Sequence, residues 1–487
     1  MIESWKMDKN NQATHLKKEI LIKTIKAFLS DDFEENTRLI PFEMRPKGSE
    51  VPYRCCIYKE REILRNRIIA TLGFPMEGAD ERVLLSNYAK EAQNREKPDE
   101  KTLTVLESAC KGCVPNRIFV TDLCQGCVAR PCLENCKFGA ISIVNGKSQI
   151  DSSKCKNCTK CIQVCPYHAI VKIVVPCENA CPVDAISKDE QGHARIDFEK
   201  CITCGKCVSA CPFGAIHEKS QIIDILTKIK QGRKVVAMIA PSIAGQLPAS
   251  IYQIKTAMLK CGFSDVFEVA QGADITAVNE AKEFNERLND GAQFMTTSCC
   301  AGYNNLVDKH LSEIAPFRSD TKTPMYYIAE IVKQKIPDAV SVFVSPCVAK
   351  KSEALKNPNV DYVMNYEELG ALFVANKIEL SELEETPFET EASREGRNFG
   401  ITGGVAKSVE AADNGKSEIK PHLVNGINKE SIRALKGFAK KGQCEFGNLI
   451  EVMCCEGGCV GGNDCLNTVR TATKAVSEFT KDSKPIV

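Results

Sequence analysis

The sequence predicts a multidomain α+β/α/β chain in three parts: a mostly helical segment over 1–105, a cysteine-dense module over 106–220 and an α/β domain over 221–487. Three observations predict it. Of 27 cysteines in 487 residues, only Cys55 and Cys56 precede residue 109, while 16 crowd between Cys110 and Cys211. Before that crowd, apolar residues recur at helical spacing. After it, β-branched runs alternate with amphipathic stretches, the pattern of an α/β layer architecture. A chain with 43% hydrophobic and 26% charged residues can bury a full core. Its net charge of +1 gives no global attraction to nucleic acid or anionic membrane, and neither is expected as a partner.

In the first part, Leu16, Ile20, Ile25, Phe28 and Leu29, and then Ile63, Leu64, Ile68, Ile69 and Leu72 before Gly73, predict two amphipathic helices. The charge-rich stretch 75–105 reads as a further exposed helix or a linker with a solvated face. The first ten residues carry charges where a secretory signal needs an apolar core, and no stretch approaches 18 uninterrupted apolar residues. A cytoplasmic protein is expected, whose cysteines bind metal rather than form disulfides.

In the module, Cys155, Cys158, Cys161 and Cys165 before Pro166 have the spacing C-x2-C-x2-C-x3-C-P, and Cys201, Cys204, Cys207 and Cys211 before Pro212 repeat it. This is the bacterial 4Fe-4S signature of ferredoxin-like domains, and the doubling disfavours a structural zinc site. One loop wraps three thiolates around a cube while the fourth reaches the neighbouring cluster. Cys124, Cys127, Cys132 and Cys136 form a looser copy, and Cys177 and Cys181-Pro182 a degenerate one. Cross-ligation then groups Cys124, Cys127, Cys132 and Cys165; Cys155, Cys158, Cys161 and Cys136; and Cys181, Cys201, Cys204 and Cys207. Cys110, Cys113, Cys177 and Cys211 remain for a fourth cluster. Three to four accessory 4Fe-4S clusters make an electron wire, and something at one end should use the electrons.

In the last part, 234–240 and 339–344 read as buried strands, and 276–288 and 406–412 as helices. Ligands in such folds gather at strand ends and the loops after them. Three motifs stand in such loops: Thr297-Ser298-Cys299-Cys300-Ala301-Gly302-Tyr303, Ser345-Pro346-Cys347-Val348-Ala349-Lys350-Lys351-Ser352-Glu353, and Glu451-Val452-Met453-Cys454-Cys455-Glu456-Gly457-Gly458-Cys459. They supply cysteines from distant loops, as a cluster held inside a domain requires, and Gly457 and Gly458 are expected to let backbone approach a cofactor.

These motifs, with Phe399–Val405, closely resemble those of the iron-only (FeFe) hydrogenases over about residues 221–465. The resemblance implies an α/β catalytic domain of two lobes that evolves or oxidises hydrogen. Its cofactor would be a 4Fe-4S cube joined to a diiron unit with carbonyl, cyanide and dithiolate ligands. By the same resemblance Cys300, Cys347, Cys455 and Cys459 hold the cube. Lys350, Ala240, Pro241 and Ser242 surround a cyanide, Met453 packs near the diiron unit, and Cys454 is an unusual neighbour of the cofactor. Cys299 resembles the proton-relay thiol. Glu280, Glu283 and Arg287, at helical spacing on one face, and Ser319 match the proton path. Without the resemblance that face reads as solvated charge.

Implied partners are ferredoxin or a similar low-potential carrier and hydrogenase maturation proteins. Ala301, Tyr303, Met325, Ser345 and Cys454 depart from the usual pattern, as in a divergent subgroup, and Ser345 and Cys454 change polarity close to the cofactor. A hydrogen sensor and a non-catalytic iron-sulfur scaffold are the alternative readings; retention of Cys299, Lys350, Glu280 and Glu283 favours catalysis. His168, His193 and His217 read as surface residues, and Cys55, Cys56, Cys261, Cys444 and Cys465 as ordinary thiols.

Overall fold

The computed structural model describes residues 11–48, 55–110, 112–115 and 117–486; the charged stretch 1–10 lies outside the described residues. Helices Gln12–Leu29, Phe33–Met44, Ile57–Thr71 and Leu85–Asn94 form the N-terminal part. The first is capped by Asn11, whose side chain accepts from the Thr14 N–H. Its apolar stripe of Ile20, Leu21, Ile25 and Phe28 packs against the helix Tyr366–Ala375 of the last part. The two expected helices are present, and the charged stretch 75–105 carries a further helix, Leu85–Asn94, whose charged residues are exposed, with Arg95 at its C-terminal cap the exception. Arg95 makes a two-pronged ion pair with buried Asp224 (Nε to Oδ1 2.7 Å), tying this part to the helix Ile222–Lys230. Sequence spacing could not show that partner, 129 residues away.

The cysteine module is two small units, one inserted in the other. Strands Leu103–Val105 and Ile216–Glu218 pair antiparallel around the inner unit, and Arg117–Val120 and Ile170–Ile173 around the outer. The internal repeat is visible in the backbone. Three residues after the last cysteine of each copy, Gly139, His168, Asp184 and Gly214 all take left-handed conformations with φ between 50° and 59°. In the two tight motifs Asn157 and Thr159, and Thr203 and Gly205, do the same. Left-handed backbone at a β-branched threonine is strained, and its recurrence marks a loop bent around something. His217 corrects the surface expectation: it is buried on strand Ile216–Glu218, beneath helix Ile57–Thr71. Burial, then Arg67 and Lys17, hold its pKa well below the usual histidine value. His168 is exposed and His193 half-buried.

The last part is a mixed α/β fold with two parallel sheets. One has four strands in the order Asp265–Glu268, Val235–Ile239, Val340–Val344, Tyr362–Met364, and the other three in the order Met295–Thr296, Leu449–Met453, Pro421–Asn425. Central strands buried along their whole length explain the continuous apolar runs in the sequence. The helix Val269–Asn289 starts seven residues before the expected one, because Val269, Ala270, Gly272 and Ala273 are buried too. A Cβ on Gly272 would stand 2.2 Å from the Pro324 carbonyl, so helix Pro324–Lys335 packs directly on its backbone. Among the described residues no helix is long and apolar enough to cross a membrane.

Candidate functional site

Four parallel strands end at one place. Strand Val235–Ile239 leads into Ala240-Pro241-Ser242, Met295–Thr296 into Cys299 and Cys300, Val340–Val344 into Cys347, and Leu449–Met453 into Cys455 and Cys459. The expectation that the motifs sit after strand ends holds for all of them. Cys300 and Cys347 are helix N-caps, a position whose dipole favours thiolate charge. Ala240, Pro241, Ser242, Cys299, Cys300, Met325, Lys350, Met453 and Cys459 line one cavity with Phe343, Phe399 and Gly400.

Cys300, Cys347, Cys455 and Cys459 are close enough to raise one another's pKa. Burial first, then Cys300 and Cys455, push Cys459 to about 12. Thiols this hard to ionise are inert unless a cation deprotonates them, as bound iron does. Among the described residues no three His, Cys, Asp or Glu side chains converge on a single ion. Four thiols brought together from three loops are the donor set of an iron-sulfur cube.

Lys350 is buried yet charged. Burial lowers its pKa, but Glu353, whose Oε2 is 2.6 Å away, outweighs that and holds it above the ordinary value. Its ammonium also reaches the Cys299 carbonyl at 3.4 Å, at the cavity wall. Ser242 is fixed by the Tyr366 hydroxyl at 2.7 Å. Gly457 and Gly458, expected to admit a cofactor, instead have φ of +87° and +85°, and a Cβ on Gly458 would stand 2.8 Å from the Thr402 nitrogen. They bring the loop of Cys459 against the segment Gly400–Thr402.

Cys299 is buried and its thiol pushed well above the ordinary value by burial and then by Glu280. Glu280 Oε1 accepts from the Ser298 N–H (3.0 Å) and hydroxyl (3.2 Å), while Oε2 is buried without a hydrogen bond. Burial raises its pKa to about 7, against the opposing Ser298 and Ser319 groups. Ser319 Oγ donates to Glu283 Oε2 at 2.7 Å, and Arg287 pairs with Glu283 and with Asp320, which is 93% exposed. For Glu283, burial is outweighed by the Asp320 N–H, the Ser319 and Thr321 hydroxyls and Arg287, which hold its pKa below the ordinary value. A row of titratable groups thus runs from the cavity to solvent. Sequence reasoning missed Thr321, Asp320, Glu353 and Tyr366; Glu353 lay inside a recognised motif, the others had no spacing signal.

The accessory sets converge as well. Burial, then Cys204 and Cys181, push Cys201 to about 11. Burial, then Cys211 and, after Lys188, Cys110, act on Cys177, also to about 11. Cys124, Cys127, Cys132 and Cys165 line one small cavity, and Cys136, Cys155 and Cys161 share a cluster of apolar side chains. Backbone N–H groups point at sulfur from Ala185 to Cys181 (3.2 Å), Ala194 to Cys110 (3.2 Å), Thr203 to Cys201 (3.4 Å) and Ala215 to Cys211 (3.3 Å). Such donors suit thiolates of a bound cluster.

Ser345 is buried with its hydroxyl unpaired and does not line the cofactor cavity. Cys454 also lies off that cavity: its side chain hydrogen-bonds Cys204 and Cys455, and its N–H points to Cys300 at 3.4 Å. It bridges an accessory set and the inner four.

Residues 233–463 match the family "Iron only hydrogenase large subunit, C-terminal domain", 173–222 an "LdpA Fe-S cluster-binding domain" and 147–170 a "4Fe-4S binding domain". Iron hydrogenase 1 of Clostridium pasteurianum is 28% identical over 303 residues, covering 51% of this chain and 53% of that protein. The periplasmic [Fe] hydrogenase large subunit of Nitratidesulfovibrio vulgaris is 28% identical over 375 residues, 64% of this chain and 85% of that one. The chain spans about half the length of the Clostridium relative. A solved [FeFe]-hydrogenase aligns with a TM-score of 0.46 at 19% identity, over 54% of this chain and 91% of its own. From the family match and the curated relatives, residues 233–463 are an iron-only (FeFe) hydrogenase large-subunit domain, with 4Fe-4S ferredoxin-like domains ahead of it.

Proposed function

We propose that the protein interconverts protons and hydrogen, with electrons relayed through accessory 4Fe-4S clusters to or from ferredoxin. In this reading 1–105 braces the assembly, 106–220 is the electron module and 221–487 is a catalytic domain of two lobes, one on each parallel sheet. Cys300, Cys347, Cys455 and Cys459 hold the cube. Lys350 and the Ala240–Ser242 turn bind the polar ligands of the diiron unit, beside Met453. That unit, when bound, supplies the redox chemistry at hydrogen. The chain supplies the proton: Cys299 Sγ exchanges it at the cavity, Glu280 stores it, and Ser319, Glu283 and Arg287 pass it to and from solvent.

The observation that carries the reading is Cys299 itself. It is a buried thiol on the cavity outside the four-cysteine set, in the field of a carboxyl that titrates near neutrality. Cys299→Ala is expected to lower dye-driven hydrogen evolution by at least about 100-fold, the scale of general acid–base catalysis. Iron content and the infrared bands of iron-bound carbonyl and cyanide should stay unchanged. If protein made with the maturation machinery lacks those bands while holding cube iron, the scaffold alternative takes its place.

A carrier of acidic surface suits the outer unit. Residues 117–173 hold eight Lys and Arg against three Asp and Glu. Phe119, Leu123, Val128 and Tyr167 are exposed in this unit, as is Cys158. This mixture of apolar patch and positive charge is how an electron-transfer partner is steered and then held.

A further inference from the structure

A cavity of about 780 Å³ lies where the N-terminal helix, the inner ferredoxin-like unit and the hydrogenase domain meet. Its wall contains Cys204, Cys211 and Cys455, one member each of three different cysteine sets. It has room for many waters. Into the same wall reaches a buried chain of charge that neither the hydrogen chemistry nor the proton row from Cys299 uses. Lys17 Nζ is 2.5 Å from Glu367 Oε2 and 3.3 Å from Asp464 Oδ1, and Lys351 Nζ is 2.6 Å from Glu218 Oε1. Asp464 and Glu218 are close enough that each shifts the ionisation of the other.

Two carboxylates in each other's field repel, so a proton held on one of them relieves the pair. Asp464 Oδ2 is buried and receives no N–H or hydroxyl donor. Within the chain four carboxyls, Glu218, Glu367, Glu368 and Asp464, face three ammoniums, Lys17, Lys18 and Lys351, so full ionisation would leave uncompensated negative charge in the interior. Around it stand Arg67, Lys206, His217 and Glu456. Lys206 is engaged with the Ile427 carbonyl and Arg67 with the Phe213 carbonyl at 2.9 Å.

We propose that Asp464 and Glu218 form a proton-binding site whose occupancy is linked to the redox state of the clusters beside the cavity. When a cluster there accepts one electron from the low-potential carrier, one proton enters from solvent and forms an O–H bond on a carboxylate oxygen of the pair. When the electron moves on, that bond breaks and the proton returns to solvent. No other bond changes. The added negative charge favours the protonated pair, and by linkage the protonated pair favours the reduced cluster. Burial and Glu218 together push the Asp464 carboxyl well above the usual range, in keeping with a held proton.

This rests on the reading that Cys204, Cys211 and Cys455 hold clusters, and on no part of the hydrogen chemistry. The test uses the full chain carrying its 4Fe-4S clusters without the diiron unit, so that turnover plays no part. Iron content and cluster absorbance are checked first, which separates loss of clusters from failure of the linkage. Redox titrations at a series of pH values should show at least one cluster potential falling as pH rises. The slope should approach about 59 mV per tenfold change in proton activity over a limited window and be flat outside it. Asp464→Asn and Glu218→Gln should flatten it. Lys17→Gln removes a cation that favours the carboxylate, and should move the window to higher pH. A potential independent of pH in the unaltered chain overturns the proposal. So does a slope that survives both carboxyl variants, or one that disappears in Glu280→Gln instead.

Discussion

At the scale of single residues, the site depends on side chains whose ionisation is displaced by where they are buried. Glu280 is the clearest. Its folded pKa of about 7 lies above the ordinary value of 4.5, so its contribution to stability is present in full below pH 4.5 and is lost as pH rises through 7. At pH 8 the ionised carboxylate therefore weakens the fold by up to about 3 kcal/mol. Glu280→Gln keeps an acceptor for Ser298 and removes the charge. It should raise the denaturant midpoint above pH 7, leave it unchanged near pH 4, and lower hydrogen turnover. Equal stability of the two proteins at pH 8 would contradict the assignment. Cys454 poses a different question. Its thiol lies between Cys204 and Cys455, and a donor at a cluster thiolate stabilises the reduced form. Cys454→Ala should lower the midpoint potential of the adjacent cluster by roughly 40 mV, one weak hydrogen bond's worth, without loss of iron. Unchanged potentials would show that the thiol only fills space.

At the scale of elements, how much could be read in advance depended on range. The helices Gln12–Leu29 and Ile57–Thr71 and the buried strands carried their own periodicity, whereas Phe33–Met44 did not stand out, and the cysteine spacings named their loops. The matching left-handed turns at Gly139, His168, Asp184 and Gly214 show why even the degenerate copies keep their place: each is the same local bend. Contacts made by tertiary approach left no such trace. Arg95 on Asp224 and His217 under a helix read as solvent residues, and Lys17 in a buried carboxyl cluster carried no signal, because spacing along the chain reports the face and not what covers it. The outer ferredoxin-like unit remains open, and its element-level prediction concerns charge. Reversing Lys154, Lys156 and Lys160 to Glu should raise KM for an acidic ferredoxin about tenfold or more at low salt and leave dye-driven turnover unchanged. The difference should shrink as salt is added. An unchanged KM would place carrier docking elsewhere.

At the scale of the whole molecule, the three parts are joined by buried polar contacts rather than by flexible linkers. Lys351 donates to the Lys219 carbonyl and pairs with Glu218, Asn305 bonds the Ile202 carbonyl, and Lys309 bonds the Cys201 carbonyl. These hold the Cys201–Cys207 loop against the helices that follow Cys300 and Cys347, which a wire needs, because electron transfer demands a fixed short gap. Motif spacing could assign which thiols belong together but not that the unassigned four would meet. In the structure Cys113 and Cys177 each lie in the field of Cys110 and Cys211. With Ala194 and Ala215 donating to sulfur there, a fourth accessory cube is expected. The full chain without its diiron unit should then hold about 20 iron atoms, five cubes of four. Cys110→Ser with Cys113→Ser should remove about four of them and leave the inner clusters in place. About 16 iron atoms in the unaltered chain, with no change in the double variant, would mean that those four cysteines hold no metal.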